Sequence, residues 1–223
     1  AEVSARVRAR SVDLDLRDLP LVKDWQPGDP IKEIPRRHHG KPMLDDRTGP
    51  VAVPQEDPLL AVQEAAPLVS ALAFTAPILN FAGQGFSGVN PPDTVGDVGP
   101  SHYIQVINHS SGSAVTVYSK TTGGVLAGPF YMDSLGTLDC ATGLGDPVVL
   151  YDNLADRWLL SEFSNAGNKL CVYVSKTADP VSGGWWAYAF QAPSFPDYPK
   201  YGVWPDAYYA SSNETSPAAY ALD

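Results

Sequence analysis

The 223-residue sequence is poor in charge, in basic residues and in long hydrophobic runs. Charged residues make up 18% of it, and 15 Lys and Arg face 25 Asp and Glu, which gives a net charge of −10. Because such a chain repels phosphate backbones, we expect no nucleic-acid partner. No apolar run approaches the roughly 20 residues needed to cross a bilayer, so we also expect no membrane span.

Apolar residues and turn formers are abundant. The chain is 44% hydrophobic, which is enough for a substantial core, and it contains 21 Pro, 19 Gly and 10% aromatic residues. This composition favours short strands joined by turns over long helices. The sequence therefore predicts an all-β protein.

The two cysteines, Cys140 and Cys171, have no His or Cys neighbours at the spacing of metal ligands. We interpret them as a disulfide. Disulfides persist in oxidising compartments, so this bond predicts a secreted protein, extracellular or at the cell surface.

Residues 1–79 differ in composition from the rest of the chain. Prolines recur from Pro20 to Pro58 and forbid a long helix or a central strand there, so we predict an extended, Pro-rich leader arm. A short helix near 59–72 fits Asp57 as N-cap. The alternative to a docked arm is a disordered linker. The arm's apolar anchors would be Leu14, Leu16, Leu19, Val22 and Trp25.

Residues 80–223 are periodic. Tyr103, Trp158 and Tyr208 each follow a buried segment and a turn, and they are spaced by 55 and then 50 residues. This period suits four-stranded antiparallel blades, which bury their apolar faces by stacking around an axis. We predict a β-propeller of which this chain supplies about two and a half blades. Propellers need about four to eight, so the remaining blades are expected from a longer chain or a second chain. A small β-sandwich is the alternative.

Three segments, 90–100, 145–152 and 195–206, resemble blade signatures of a group of secreted bacterial propellers. That group forms the N-terminal part of large extracellular proteins, mostly without assigned activity. The start of the chain is similar to the leader arm of such proteins through Asp18-Leu19-Pro20 and the run 25–30. The resemblance implies the fold and export, and it transfers no catalytic residues.

In a propeller the inner strands begin at one mouth of the central channel. We align Asp93, Asp146 and Lys200 there, with Asp197 and Tyr198 just ahead of Lys200. Oxygen-rich surroundings suit Ca²⁺, so Asp93, Asp146 and Asp197 are its predicted ligands. The alternative is that each Asp caps its own turn.

Two chemistries are open at this rim. Asp146 and Asp197 are the pair we would assign to glycoside hydrolysis, which needs two carboxylates flanking the bond. A polysaccharide lyase is the weaker alternative. It would need cations to neutralise a uronate and a Tyr, His or Lys base, and the available residues are Tyr198, Lys200, Arg157 and His102. For simple binding, the predicted ligand contacts are Tyr198, Lys200 and Trp204, which combine aromatic faces with a charge.

We therefore predict an exported propeller that works as a binding or scaffold module of the cell envelope or medium and contacts glycan or protein at the channel mouth. The first alternative is an extracellular carbohydrate-active enzyme. The second is an assembly subunit joined to another chain through its arm or an open blade edge. The sequence leaves open whether any catalysis occurs.

Overall fold

Short runs rich in Val, Tyr and Trp, broken by Gly, Pro and Asp, form the strands of this protein. The computed structural model describes residues 6–34 and 76–223, where strands and three short 3-10 helices occur and no α-helix does. The all-β prediction is confirmed over these residues. The helix predicted near 59–72 lies outside them.

Two parts of the arm pair with later strands. The strands concerned are β1 (Arg10–Val12), β2 (Lys32–Glu33) and β3 (Val89–Asn90). β1 pairs in antiparallel with the later strand Trp185–Gln191, and β2 pairs in parallel with β3.

The first four-stranded sheet, sheet 1, is a meander of consecutive antiparallel strands. Its strands are β4 (Val95–Val98), β5 (His102–His109), β6 (Gly112–Ser119) and β7 (Val125–Tyr131). Two of the 3-10 helices follow it, Met132–Leu135 and Leu138–Ala141.

The second and third sheets repeat the meander. Sheet 2 consists of β8 (Gly143–Asp152), β9 (Arg157–Ser164), β10 (Lys169–Ser175) and β11 (Trp185–Gln191), with β1 added beside β11. Sheet 3 consists of β12 (Asp197–Val203), β13 (Tyr208–Asn213) and β14 (Pro217–Leu222). Among the described strands β14 pairs with β13 alone, and the three sheets do not close into a ring.

The three aromatic residues of the predicted repeat occupy matching places. Each lies near the start of the second strand of its sheet and pairs with a residue at or near the end of the first: Tyr103 with Val98, Trp158 with Tyr151, and Tyr208 with Val203. The spacing seen in the sequence is thus the spacing of equivalent second-strand positions.

Sheet 2 lies between the other two and buries both of its faces. Along β9, Trp158 and Leu160 belong to a core shared with sheet 1, while Leu159 and Phe163 belong to a second core shared with sheet 3. Because successive side chains of a strand point to opposite faces, consecutive apolar residues such as Trp158, Leu159 and Leu160 suit a strand that is covered on both faces.

The arm docks on this stack. β1 extends sheet 2, and Leu16, in the 3-10 helix Leu16–Asp18, is 1% exposed in the core between sheets 1 and 2. The backbone N–H of Leu16 donates to the carbonyl of Val181 at 2.9 Å. Val22 is buried against Ile107 on the other face of sheet 1. For the described part of the arm, docking replaces the linker alternative.

The Cys140–Cys171 disulfide is present and ties the 3-10 helix Leu138–Ala141 to β10. Residues 1–34 and 79–223 form one unit, and residues 35–78 a second one, of which only 76–78 are described. In the described part of the chain no helix is long and apolar enough to span a membrane.

A candidate carboxylate site at the inner strand ends

The same backbone distortion marks the entrance of the first strand in each sheet. Asp93, Asp146 and Tyr198 have φ angles of +39°, +52° and +51°. They are equivalent because each lies two residues before a paired position: Val95 with Val106, Val148 with Ser161, and Lys200 with Ser211. Left-handed backbone is uncommon for a residue with a side chain, and Asp tolerates it better than most. Its recurrence places three side chains at corresponding points of successive sheets.

Lys200 does not occupy the place predicted for it. Tyr198, two residues earlier, is the residue that matches Asp93 and Asp146. The difference arises because β8 and β12 both carry register shifts at their starts, which a linear alignment does not reveal. Lys200 remains close by, since its ammonium lies 4.0 Å from the ring centre of Tyr198.

One buried amide joins the first two carboxylates. Asn108, fully buried on β5, donates from Nδ2 to Asp93 Oδ2 at 2.7 Å and to the Pro91 carbonyl at 3.1 Å. Its Oδ1 accepts from the backbone N–H of Asp146 at 2.8 Å. The lack of a side chain at Gly145 provides space for Asn108, because a Cβ there would lie 2.5 Å from the same Oδ1. Sheet 1 thus fixes the position of the sheet 2 strand that carries Asp146.

The electrostatics show that the three predicted acids are neighbours. Burial, then the charge of Asp93 and a hydrogen bond with it, and then the charge of Asp197 raise the pKa of Asp146 to about 6. The hydrogen bond from Asn108 opposes this rise. A carboxyl beside other carboxylates in a partly buried site resists ionisation. The structure therefore brings Asp93, Asp146 and Asp197 to one site.

Calcium binding at these three acids remains a prediction. Across residues 6–34 and 76–223, no group of three or more His, Cys, Asp or Glu side chains is arranged to hold a metal ion. Two of the three predicted ligands, Asp93 and Asp146, are instead engaged with each other and with Asn108. The site as built is a carboxylate pair with a third acid nearby.

The predicted binding residues are split between two ends of β12. Tyr198 is 61% exposed at the strand entrance, beside the carboxylates, whereas Trp204 is 68% exposed just past the last strand residue. Six residues of extended chain separate them by roughly 20 Å. Tyr198 and Lys200 therefore belong to the carboxylate site, and Trp204 does not.

No protein-family model matches the chain, and neither a curated protein nor a solved structure does. The resemblance to secreted bacterial propellers thus stays a prediction.

Sequence reasoning missed three polar residues at the boundary between sheets 1 and 2: Asn108, Asp133 and Glu162. Asn108 and Glu162 are both 0% exposed within strands that are otherwise apolar on that face. That break in the apolar pattern was the available signal, since a polar residue enters a core only for a partner or a function.

Proposed function

We propose that the protein is an exported β-propeller module that binds a glycan at the mouth formed by the entrances of its inner strands. The observation that carries this proposal is the convergence of Asp93 and Asp146, which share one repeated backbone feature with Tyr198 of the third sheet, and of Asp197 beside Tyr198, whose charge acts on Asp146. A site assembled from equivalent positions of stacked sheets is what a propeller offers at its channel mouth.

Three features support the propeller. The meanders match strand for strand, the first strand of each sheet packs on that of the next, and sheet 2 is covered on both faces. The outer face of sheet 3 carries exposed Tyr209, Ala219 and Ala221, and β14 has no described outer neighbour. Further sheets of the same kind, from a longer chain or a second chain, would cover this face as sheet 3 covers sheet 2.

The chemistry of the site suits a sugar. Carboxylates accept hydrogen bonds from hydroxyl groups, and the exposed ring of Tyr198 offers a face for the apolar side of a pyranose. Lys200 adds a donor at the same end of β12. The acidic field disfavours polyuronates, so the expected ligand is an uncharged polysaccharide.

Calorimetric titration with soluble neutral polysaccharides, β-glucan, xylan and mannan, tests this proposal. We expect one of them to bind and Tyr198→Ala to weaken its binding at least about tenfold, which corresponds to about 1.4 kcal/mol. Trp204→Ala is the matched control, because it removes an equally exposed aromatic ring from the other end of β12. Failure of all three polysaccharides to bind, or equal losses in both variants, would refute the glycan site.

The raised pKa of Asp146 favours one second candidate, a glycoside hydrolase. Its carboxyl would serve as general acid and Asp197 as the second carboxyl group of the pair. Asp93 in hydrogen-bonding contact with Asp146 is too close to be that partner, since retaining enzymes hold their carboxyls about 5 Å apart. Release of reducing sugar from the bound polysaccharide, abolished in both Asp146→Asn and Asp197→Asn, would establish the enzyme; binding without turnover would establish the binding module.

A further inference from the structure

Two of the fully buried polar side chains between sheets 1 and 2, Glu162 and Ser113, lack a hydrogen bond of ordinary geometry. Glu162 on β9 and Ser113 on β6 are both 0% exposed. Neither carboxylate oxygen of Glu162 nor the hydroxyl of Ser113 makes a hydrogen bond of ordinary geometry, although Ser113 lies close enough to Glu162 to oppose the rise of its pKa. Leaving such groups unpaired costs roughly 1–3 kcal/mol for each polar atom and more for a charge.

The surroundings of Glu162 form a cradle of glycines. A Cβ on Gly143 would lie 2.4 Å from Glu162 Oε2, and one on Gly112 would lie 3.0 Å from the same oxygen. The absence of these two side chains is what gives the carboxyl its space. Gly112 adjoins Ser113 on β6, so both strands of the cradle supply small residues at this point.

A second carboxylate borders the cradle. Asp133, in the 3-10 helix Met132–Leu135, accepts the backbone N–H of Gly143 at 3.0 Å and is half-buried. Its charge acts on the carboxyl of Glu162, so the two acids are neighbours.

Protonation of Glu162 alone does not offset the full cost of burying its carboxyl group. Burial and the charge of Asp133 raise the pKa of Glu162 well above its usual range, and Ser113 offsets only part of that rise. A proton would remove the charge and allow one hydrogen bond between the carboxyl and the Ser113 hydroxyl, but it would still leave the other carboxyl oxygen without a partner. The cluster lacks a group that satisfies several oxygens at once.

We propose that this cluster binds a divalent cation, Ca²⁺, with Glu162, Asp133 and Ser113 among its ligands. Two carboxylates balance the charge of the ion, and the hydroxyl, backbone carbonyls and water complete the oxygen shell that Ca²⁺ prefers. The ion would join β6 to β9 and so bind sheet 1 to sheet 2. This site is separate from the carboxylates at the strand entrances and does not depend on glycan binding.

The test is the thermal stability of the full chain after treatment with a chelator, with Ca²⁺ then added back. At a calcium concentration about 100 times its Kd, the midpoint should rise by about 5–10 °C. Glu162→Gln keeps the shape of the side chain and should abolish most of the rise. Asp146→Asn, which alters the neighbouring acidic site only, should retain it.

A direct readout complements stability. Tb³⁺ substitutes for Ca²⁺ and luminesces when a nearby aromatic ring is excited, and Tyr173 lies close enough for the charge of Glu162 to raise its pKa. We expect sensitised emission in the parent protein that excess Ca²⁺ displaces. Should Glu162→Gln fail to fold, Asp133→Asn at the half-buried position should lower the Tb³⁺ affinity at least about tenfold.

Three results would overturn the proposal. One is the absence of any Ca²⁺-dependent stabilisation or Tb³⁺ emission, which would mean that water satisfies the cluster. Another is a full calcium response in Glu162→Gln. The third is a response lost in Asp146→Asn but kept in Glu162→Gln, which would place the ion at the strand entrances.

Discussion

The two faces of sheet 2 are built differently, although the backbone repeat on either side is the same. Toward sheet 1, Trp158 and Leu160 lie in a large core of fully buried side chains that includes Leu16 of the arm and the disulfide. Toward sheet 3, Leu159 and Phe163 are buried among neighbours that are mostly only partly buried. Side chains at the boundary between sheets 1 and 2 are thus more completely buried than those at the boundary between sheets 2 and 3.

Equivalent positions also differ in chemistry. Asn108 in sheet 1 and Phe163 in sheet 2 lie five residues after Tyr103 and Trp158 respectively, and each reaches toward the next sheet. Asn108 bonds to Asp93 and to the backbone of Asp146, whereas Phe163 packs edge-on against Phe195 with ring centres 4.8 Å apart. The same fold position thus makes a polar contact between sheets 1 and 2, through Asn108, and an aromatic contact between sheets 2 and 3, through Phe163. We call the contact of Asn108 with Asp93 and Asp146 the polar joint, and the candidate site lies there.

The largest expected effect contrasts the two cores directly. Leu160→Ala and Leu159→Ala make the same change on adjacent residues of β9, both 0% exposed. Leu→Ala in a core costs about 2–5 kcal/mol, and the cost grows with the cavity that remains. We expect Leu160→Ala near the upper limit and Leu159→Ala near the lower one, because partly buried neighbours can close around the smaller side chain. Urea unfolding measures both, and equal losses would contradict the difference between the faces.

Removal of the disulfide is a second test of the boundary between sheets 1 and 2. Cys140–Cys171 closes a loop of 31 residues next to the core shared with sheet 1. The Cys140→Ala/Cys171→Ala double variant should lower the free energy of unfolding by about 3–4 kcal/mol, chiefly because the unfolded chain regains freedom. Chemical denaturation with and without reductant checks it: reductant should destabilise the parent alone, and a response of the double variant would point to another cause.

Most of the strand architecture followed from the sequence because sheet patterns are local. The aromatic starts of β5, β9 and β13 and the turns before them are visible in a linear alignment, and the disulfide followed from the only two cysteines. The convergence of Asp93 and Asp146 was predicted for the same reason. The propeller itself and any further sheets beyond sheet 3 stay a prediction, since the described sheets do not close into a ring.

The rest depended on features without a linear signature. Register shifts at the starts of β8 and β12 moved Tyr198 into the place expected for Lys200. Asn108 and Glu162 act through contacts between sheets, and no residue spacing within one strand announces a partner on the next sheet. Local chemistry predicted the elements, and long-range packing decided which polar residues meet.

The polar joint itself is tested by Asn108→Ala. Removing the amide strips a partner from the Asp146 N–H, from the Pro91 carbonyl and from Asp93, so we expect a loss of about 1–3 kcal/mol. Asn213 occupies the equivalent place in sheet 3 and is exposed, so Asn213→Ala should cost no more than about 0.5 kcal/mol. Urea unfolding of both variants shows whether the loss in free energy of unfolding comes from the contact between sheets 1 and 2 or from any Asn→Ala change at this strand position.

The smallest expected effect is a pH dependence that belongs to the polar joint alone. The folded pKa of Asp146 is raised to about 6 from an unfolded value of 3.8, so the folded state holds the extra proton between these values. Stability should therefore fall as pH rises from about 4 to 6, by about 1 kcal/mol once solvent screening at this half-buried site is included. Asp146→Asn fits the same left-handed backbone, and it should be the more stable protein at pH 8 and match the parent near pH 4. Unfolding free energies of parent and variant across this range provide the measurement, and parallel pH curves would show that Asp146 ionises without resistance from Asp93 and Asp197.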